Sequence, residues 1–187
     1  VTGDASMAWV EARNASTLAA LEARPEFQQH LAEAMRVLTS DDRIAVPALR
    51  GEHVYNVWTD AEHPRGLWRR TPVEAYLAGD PAWETVLDVG ALGAAEGVNW
   101  AWGGSTCLEP DYRRCIVSLS RGGSDAVERR EFDAHTLRFV DGGFRVPESK
   151  GGVVWEDEDT LLISSDFGAG SMTTSGWRRE TLTTCAP

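Results

Sequence analysis

Hydrophobic positions in this chain change period once, near residue 43. Over residues 5–40 they recur at helical spacing. Met7, Val10, Leu18 and Leu21 fall near one face of a first helix, with Asp4 placed to cap it. Pro25 suits the first turn of a second helix, in which Phe27, Leu31, Met35 and Leu38 form a stripe. That spacing predicts two amphipathic helices, the stripe of the second being buried against the rest of the fold. After Thr39-Ser40-Asp41-Asp42 the period shortens to two, and strands are predicted at 53–59, 66–71, 84–89, 98–102, 112–120, 126–133, 137–146, 152–155 and 160–165. Residues 91–96 read as one or two helical turns. Gly103-Gly104, Pro110-Asp111, Gly142-Gly143 and the acidic run Glu156 to Asp159 punctuate the strands.

The clearest unit is Tyr112 to Asp133. Cys115, Val117 and Leu119 share one face of its first strand, and Ser118 and Ser120 face the other way. Gly122-Gly123-Ser124-Asp125 supplies the turn, because glycine enters positive φ without steric cost and Ser and Asp close local turns. The second strand, Ala126 to Asp133, alternates poorly. Many short strands at near-regular spacing mean a sandwich, a barrel or a propeller. Val153-Val154-Trp155, an acidic turn and then Thr160 to Ser164 look like the inner strand, turn and second strand of a blade. At roughly 40–50 residues per blade, residues 44–187 supply about three blades. The expected architecture is mainly β, a partial propeller (44–187) after an N-terminal helical segment (1–43).

Composition narrows the function. The chain has 187 residues, of which 42% are hydrophobic and 25% charged, so it belongs with globular domains. Its net charge of −11 argues against nucleic acid and anionic membrane surfaces as partners. No run approaches the roughly 20 apolar residues of a membrane span. No signal peptide is visible, so a cytoplasmic location is expected, or a periplasmic one if a signal precedes Val1. Cys107, Cys115 and Cys185 are odd in number and form no CxxC pair. Reduced thiols are expected, without a disulfide framework or structural zinc.

A family resemblance rests on several stretches taken in order. Trp9-Val10-Glu11-Ala12-Arg13-Asn14 with Thr17 is similar to an opening helix of the pattern V-E-x-Q-N. Arg50-Gly51, Tyr55-Asn56-Val57-Trp58 and Arg65 to Thr71 resemble a first propeller hairpin, with Trp83 to Asp88 as its outer segment. Asp111-Tyr112-Arg113-Arg114 and Leu119 to Asp125 resemble an S-P-D-G-K-Y strand start and a G-G-S-D turn. Val154-Trp155, Asp159-Thr160-Leu161 and Ser171 to Gly176 extend the match. The chain resembles the amino-terminal part of the prolyl oligopeptidase family of serine peptidases. The resemblance implies a share of a seven-bladed propeller that caps an α/β-hydrolase domain and admits short peptides to a catalytic site in that domain. Trp177 to Pro187 departs from the family pattern and reads as the tail of a truncated or frame-shifted gene.

Catalytic residues are not expected within these residues. A nucleophile elbow needs G-x-S-x-G, and both Gly103-Gly104-Ser105-Thr106-Cys107 and Gly122-Gly123-Ser124-Asp125-Ala126 fail at the last position. Ser105 and Ser124 read as turn residues. His30, His53, His63 and His135 read as solvated or structural, and Glu156 to Asp159 as a solvated turn rather than a calcium loop. No cofactor or metal is expected, and substrate-binding residues are not assigned. The expected role is to gate and hold oligopeptides for a hydrolase domain lying downstream or in another chain. The rival readings are a stand-alone, non-catalytic binding or interaction module and, from the eight tryptophans, a carbohydrate-binding domain using Trp100 and Trp102. Packing between sheets is the ordinary fate of such tryptophans.

Overall fold

The structure is a computed structural model that describes residues 3–40, 42, 44–177 and 183–185. It divides into two compact units, 1–43 and 44–187.

The first unit is a pair of helices, α1 (Asp4–Glu22) and α2 (Phe27–Leu38). Gly3 occupies the N-cap of α1 and Asp4 lies in its first turn, so the expected Asp4 cap is displaced by one residue. Pro25 precedes α2, whose N-cap is Glu26. Neither helix contains a buried residue, and Met7, Val10, Leu18, Leu21, Leu31, Met35 and Leu38 are all exposed. Within this unit, α1 does not bury the stripe of α2. Helix α2 is strongly amphipathic, whereas the apolar residues of α1 are spread around its axis, so the one-sided stripe expected on α1 is not found.

The second unit is three antiparallel sheets. The first contains β1 (Ala48–Arg50), β2 (His53–Trp58), β3 (Leu67–Pro72) and β4 (Glu84–Asp88) in chain order, with α3 (Val73–Leu77) between the last two. After α4 (Val89–Glu96), the second contains β5 (Trp100–Cys107), β6 (Arg114–Arg121), β7 (Val127–Asp133) and β8 (Arg138–Phe139), with β9 (Arg145–Ser149) also pairing β7. The third is β10 (Gly152–Asp157), β11 (Thr160–Ser164) and β12 (Thr183–Cys185). The chain is mainly β, its sheets follow one another like blades, and they do not close into a ring. Strands β1 and β12 and helix α3 carried too little periodic signal in three to five residues to be predicted. The predicted strand over 137–146 divides into β8 and β9 around the Asp141–Gly143 turn. The tail reading from Arg178 onward lies outside the described residues except for β12.

Two apolar layers join the sheets. Between the first and second sheets lie Tyr55, Trp68, Val86, Val89, Trp100, Cys115, Val117, Leu119 and Phe132. Between the second and third lie Ile116, Phe144, Val146, Trp155, Leu161 and Ile163. Strand β6 thus feeds both layers, with Cys115, Val117 and Leu119 facing one and Ile116 the other. The poor alternation of β7 has a related cause, because both of its faces are covered. Glu128, Arg129, Glu131, Phe132 and Asp133 are all buried, and the charged ones are hydrogen-bonded there.

Candidate functional site

The first strands of the three sheets meet at one end of β5. Arg50, the last residue of β1, reaches Ser105: its Nη2 donates to the carbonyl at 3.1 Å and to Oγ at 3.0 Å. Its Nη1 donates to Sγ of Cys107 at 3.1 Å. From the other side, Trp155 Nε1 on β10 donates to the Thr106 carbonyl at 3.0 Å. Three consecutive residues of β5 therefore tie the first sheet to the third. This is the side-by-side arrangement of inner strands that a propeller places around its axis.

Burial pushes the Arg50 guanidinium below its ordinary value, opposed by the phenols of Tyr55 and Tyr112. Its carbon lies 5.3 Å from the ring centre of Tyr55 and 5.6 Å from that of Trp68, so aromatic faces supply much of its stabilisation. Trp68 also contacts Trp102, with ring centres 5.3 Å apart. Trp102 is thereby held in the first apolar layer, and Trp100 is 1% exposed with Nε1 donating to Glu96. These two tryptophans pack between sheets and present no aromatic platform.

Two larger clefts flank this junction. One, of about 420 Å³, lies around Arg50, His53, Arg70, Tyr112 and His135. The other, of about 630 Å³, lies between the second and third sheets and is rich in carboxylates: Glu109, Asp111, Glu156, Asp157 and Glu158 line it. The loop from Leu108 to Arg113 separates the two. It contains a cis Glu109–Pro110 bond, and Tyr112 has a φ of 54°. Asp111 accepts the backbone N–H of Arg113, and Arg113 pairs with Asp133 at 2.8 Å. The acidic run lies at the exposed hairpin between β10 and β11, where Asp157 accepts the N–H of Asp159.

Among the described residues of the second unit, no hydrogen bond joins a serine to a histidine. Ser124 donates to the Ala126 carbonyl within its turn. Ser105 lies in β5 rather than in a turn, a correction, because the strand continues through Gly103 and Gly104 by way of a bulge. His63 Nδ1 lies 2.9 Å from Asp60, a carboxylate that also accepts Trp58 Nε1 and two backbone N–H groups. That pair closes a local turn. His53 and His135 line the 420 Å³ cleft, and His30 is on α2.

The cysteines differ most from expectation. Cys107 and Cys115 form a disulfide across directly opposed positions of β5 and β6. The odd count and the absence of CxxC concealed it, because cross-strand pairing depends on register rather than on a motif. Arg50 was equally hidden, since its role comes from its neighbours in space.

Residues 2–171 match the profile of the prolyl oligopeptidase, N-terminal beta-propeller domain. The chain belongs to the prolyl oligopeptidase family. It is 43% identical over 178 residues to y4nA, an uncharacterized peptidase of Sinorhizobium fredii, covering 95% of this chain and 24% of that protein. With an uncharacterized peptidase of Rickettsia prowazekii, RP174, it shares 30% identity over 182 residues, covering 92% of this chain and 25% of the relative. Among solved structures, a post-proline cleaving enzyme from Rickettsia typhi superimposes with a TM-score of 0.85 at 28% identity, over 98% of this chain and 29% of that one. The chain spans about a quarter of the length of the curated relatives it matches. Within this prolyl oligopeptidase domain, the resembling stretches fall on α1, on the end of β1, on the β2–β3 hairpin and β4, on the β6–β7 hairpin, on β10 and the start of β11, and on residues 171–176 after it. No helix of the described residues is long and apolar enough to cross a membrane.

Proposed function

We propose that this chain is the propeller portion of a peptidase that gates and holds oligopeptides, with bond cleavage supplied by an α/β-hydrolase domain beyond these residues or in another chain. Residues 1–43 are read as its N-terminal helical segment and 44–187 as the partial propeller. The observation that carries the reading is the junction at β5. Arg50 and Trp155 fasten three first strands side by side, and a wall of this kind is what a peptide passing along a propeller axis would meet. The match to a post-proline cleaving enzyme supports peptides containing proline as the substrate class. A cytoplasmic location is part of the same reading.

The test has two arms. The chain is incubated with short proline-containing chromogenic peptides and with a phosphonate probe for active serines; neither turnover nor labelling is expected. Covalent labelling of a serine among residues 1–187 would overturn the separation of chemistry from propeller. The longer protein that contains this domain is then assayed against peptides of increasing length. Cleavage should fall off with length, and Trp155→Ala should relax that limit. A length dependence unaffected by the substitution counts against gating at this junction.

A further inference from the structure

Arg50 is a partly buried cation with an unusual set of partners. Among the described residues these are one sulfur, one hydroxyl, one carbonyl and two aromatic rings, and none is a carboxylate. A guanidinium removed from water normally gains an anion to offset its desolvation. The group nearest to becoming one is Cys107 Sγ, at 3.1 Å from Nη1. As a disulfide sulfur it is neutral, but on reduction it becomes a thiol that can ionise against a positive charge already in hydrogen-bonding contact.

We infer that Cys107 and Cys115 are a redox-active pair in which Arg50 holds the reduced Cys107 as a thiolate. Accessibility assigns the two sulfurs different parts. Cys115 is 0% exposed, whereas Cys107 is partly exposed, so an incoming small thiol attacks Cys107. The Cys107–Cys115 bond breaks, a mixed disulfide forms on Cys107, and Cys115 leaves and takes up a proton. A second small thiol attacks the mixed disulfide, releasing Cys107 as the thiolate and a small-molecule disulfide. Two electrons pass to the protein and two small thiols are oxidised. In the reverse direction the Cys107 thiolate attacks a low-molecular-weight disulfide, and Cys115 resolves the adduct.

Other charges around Cys107 do not cancel the effect of Arg50. From the first sheet, Tyr55 and Arg50 face it. The adjoining loop carries Tyr112, whose hydroxyl is engaged by Glu109, and Asp111, which accepts the Arg113 N–H. From the third sheet come Trp155, bonded to the neighbouring Thr106, and the exposed carboxylates Glu156, Asp157 and Glu158. These carboxylates face solvent, where their repulsion is screened, while the guanidinium touches the sulfur. Reduction would also release the loop 108–114 that the disulfide closes, beside the acidic cleft.

Arg113 and Arg114 lie between the two cysteines, so trypsin separates them into peptides 71–113 and 115–121. In protein incubated with oxidised glutathione, these peptides should be recovered linked, at their summed mass less two hydrogens. After reduction and removal of the reductant, iodoacetamide labelling is followed across pH by mass spectrometry. The rate profile of Cys107 should turn at least about one pH unit below that of the same thiol in urea. Arg50→Gln should abolish that displacement and Arg50→Lys retain part of it. If Arg50→Gln does not fold, the wild-type profile decides alone. Free thiols at both positions after oxidation, or a Cys107 profile that coincides with the one in urea, would overturn the proposal.

Discussion

Glu131 and Arg114 form an ion pair at 2.6 Å in which the glutamate side chain has no exposed surface. Glu131 sits in the centre of β7, directly opposite Ile116, and its second oxygen accepts the backbone N–H of Phe144 at 2.9 Å. One carboxylate thus pins β6, β7 and the start of β9 within the layer shared by the second and third sheets. Glu131→Ala removes the charged acceptor of the guanidinium, which keeps only the Glu158 carbonyl, and the acceptor of the Phe144 N–H. Arg114 retains partial contact with water, so the cost should fall at about 2–4 kcal/mol, at or below the range for breaking a fully buried pair. Urea denaturation measures it. A double replacement, Glu131→Met with Arg114→Met, should cost less than the sum of the two single changes, and strict additivity would show that the pair is not coupled.

Acid should destabilise the second sheet. Glu96, bonded by Arg130 and Trp100 and opposed by burial, is held below its ordinary 4.5. For Glu128, burial works against the charge, but Arg130 and Arg145 outweigh it and the result is again below 4.5. Asp133 behaves alike: burial is overcome by Arg113 and the N–H groups of Thr136 and His135, giving a value below 3.8. A carboxylate depressed on folding contributes stability that is fully present above its unfolded value and is lost as pH falls through its folded one. Denaturation midpoints should therefore hold from pH 7 to about 5 and decline below about pH 4.5. Replacing both glutamates by Gln should flatten the decline, and an unchanged slope would count against this assignment.

The turn between β6 and β7 needs glycine at two successive positions, with φ of 64° at Gly122 and 83° at Gly123. A β-branched side chain is strained there even where space is open. Gly122→Val and Gly123→Val should each cost more than about 1 kcal/mol in chemical denaturation. Two neutral substitutions would mean that the turn relaxes readily.

On its own the chain should associate. Trp9, Leu31, Met35, Leu38, Val154, Phe167 and Trp177 are large apolar side chains with half or nearly half of their surface exposed. Leu161 and Ile163 do not add to this surface, because they are buried in the layer between the second and third sheets. The net charge of −11 opposes association, but its repulsion is screened beyond roughly 8 Å at physiological salt. Size-exclusion chromatography with light scattering should show species above 20.5 kDa that shift further as salt rises. A clean monomer at low and physiological salt would show that these surfaces are tolerated.

What the sequence by itself determined was local. Period-two alternation placed most strands, since burial on one face of a pleated strand selects every second side chain. Cys115, Val117 and Leu119 were assigned correctly to a common face for that reason. The paired glycines marked a turn because few other residues tolerate its backbone. The ordered stretches also revealed the family, and with it the partial propeller. Only the tertiary structure decided which distant groups meet. Arg50 and Cys107 are 57 residues apart, and Trp155 and Thr106 are 49 apart. No periodicity connects such pairs, because they depend on how whole sheets stack. The charges of β7 disguised a buried strand for the same reason: the arginine partners of Glu131 and Glu128 come from β6 and β9, and the carboxylate partner of Arg130 comes from Glu96 on α4, so their burial becomes tolerable only after those elements assemble. The helices show the opposite limit. Spacing marked both segments as helical, but a one-sided apolar stripe forms only on α2; on α1 the apolar residues are spread around the axis.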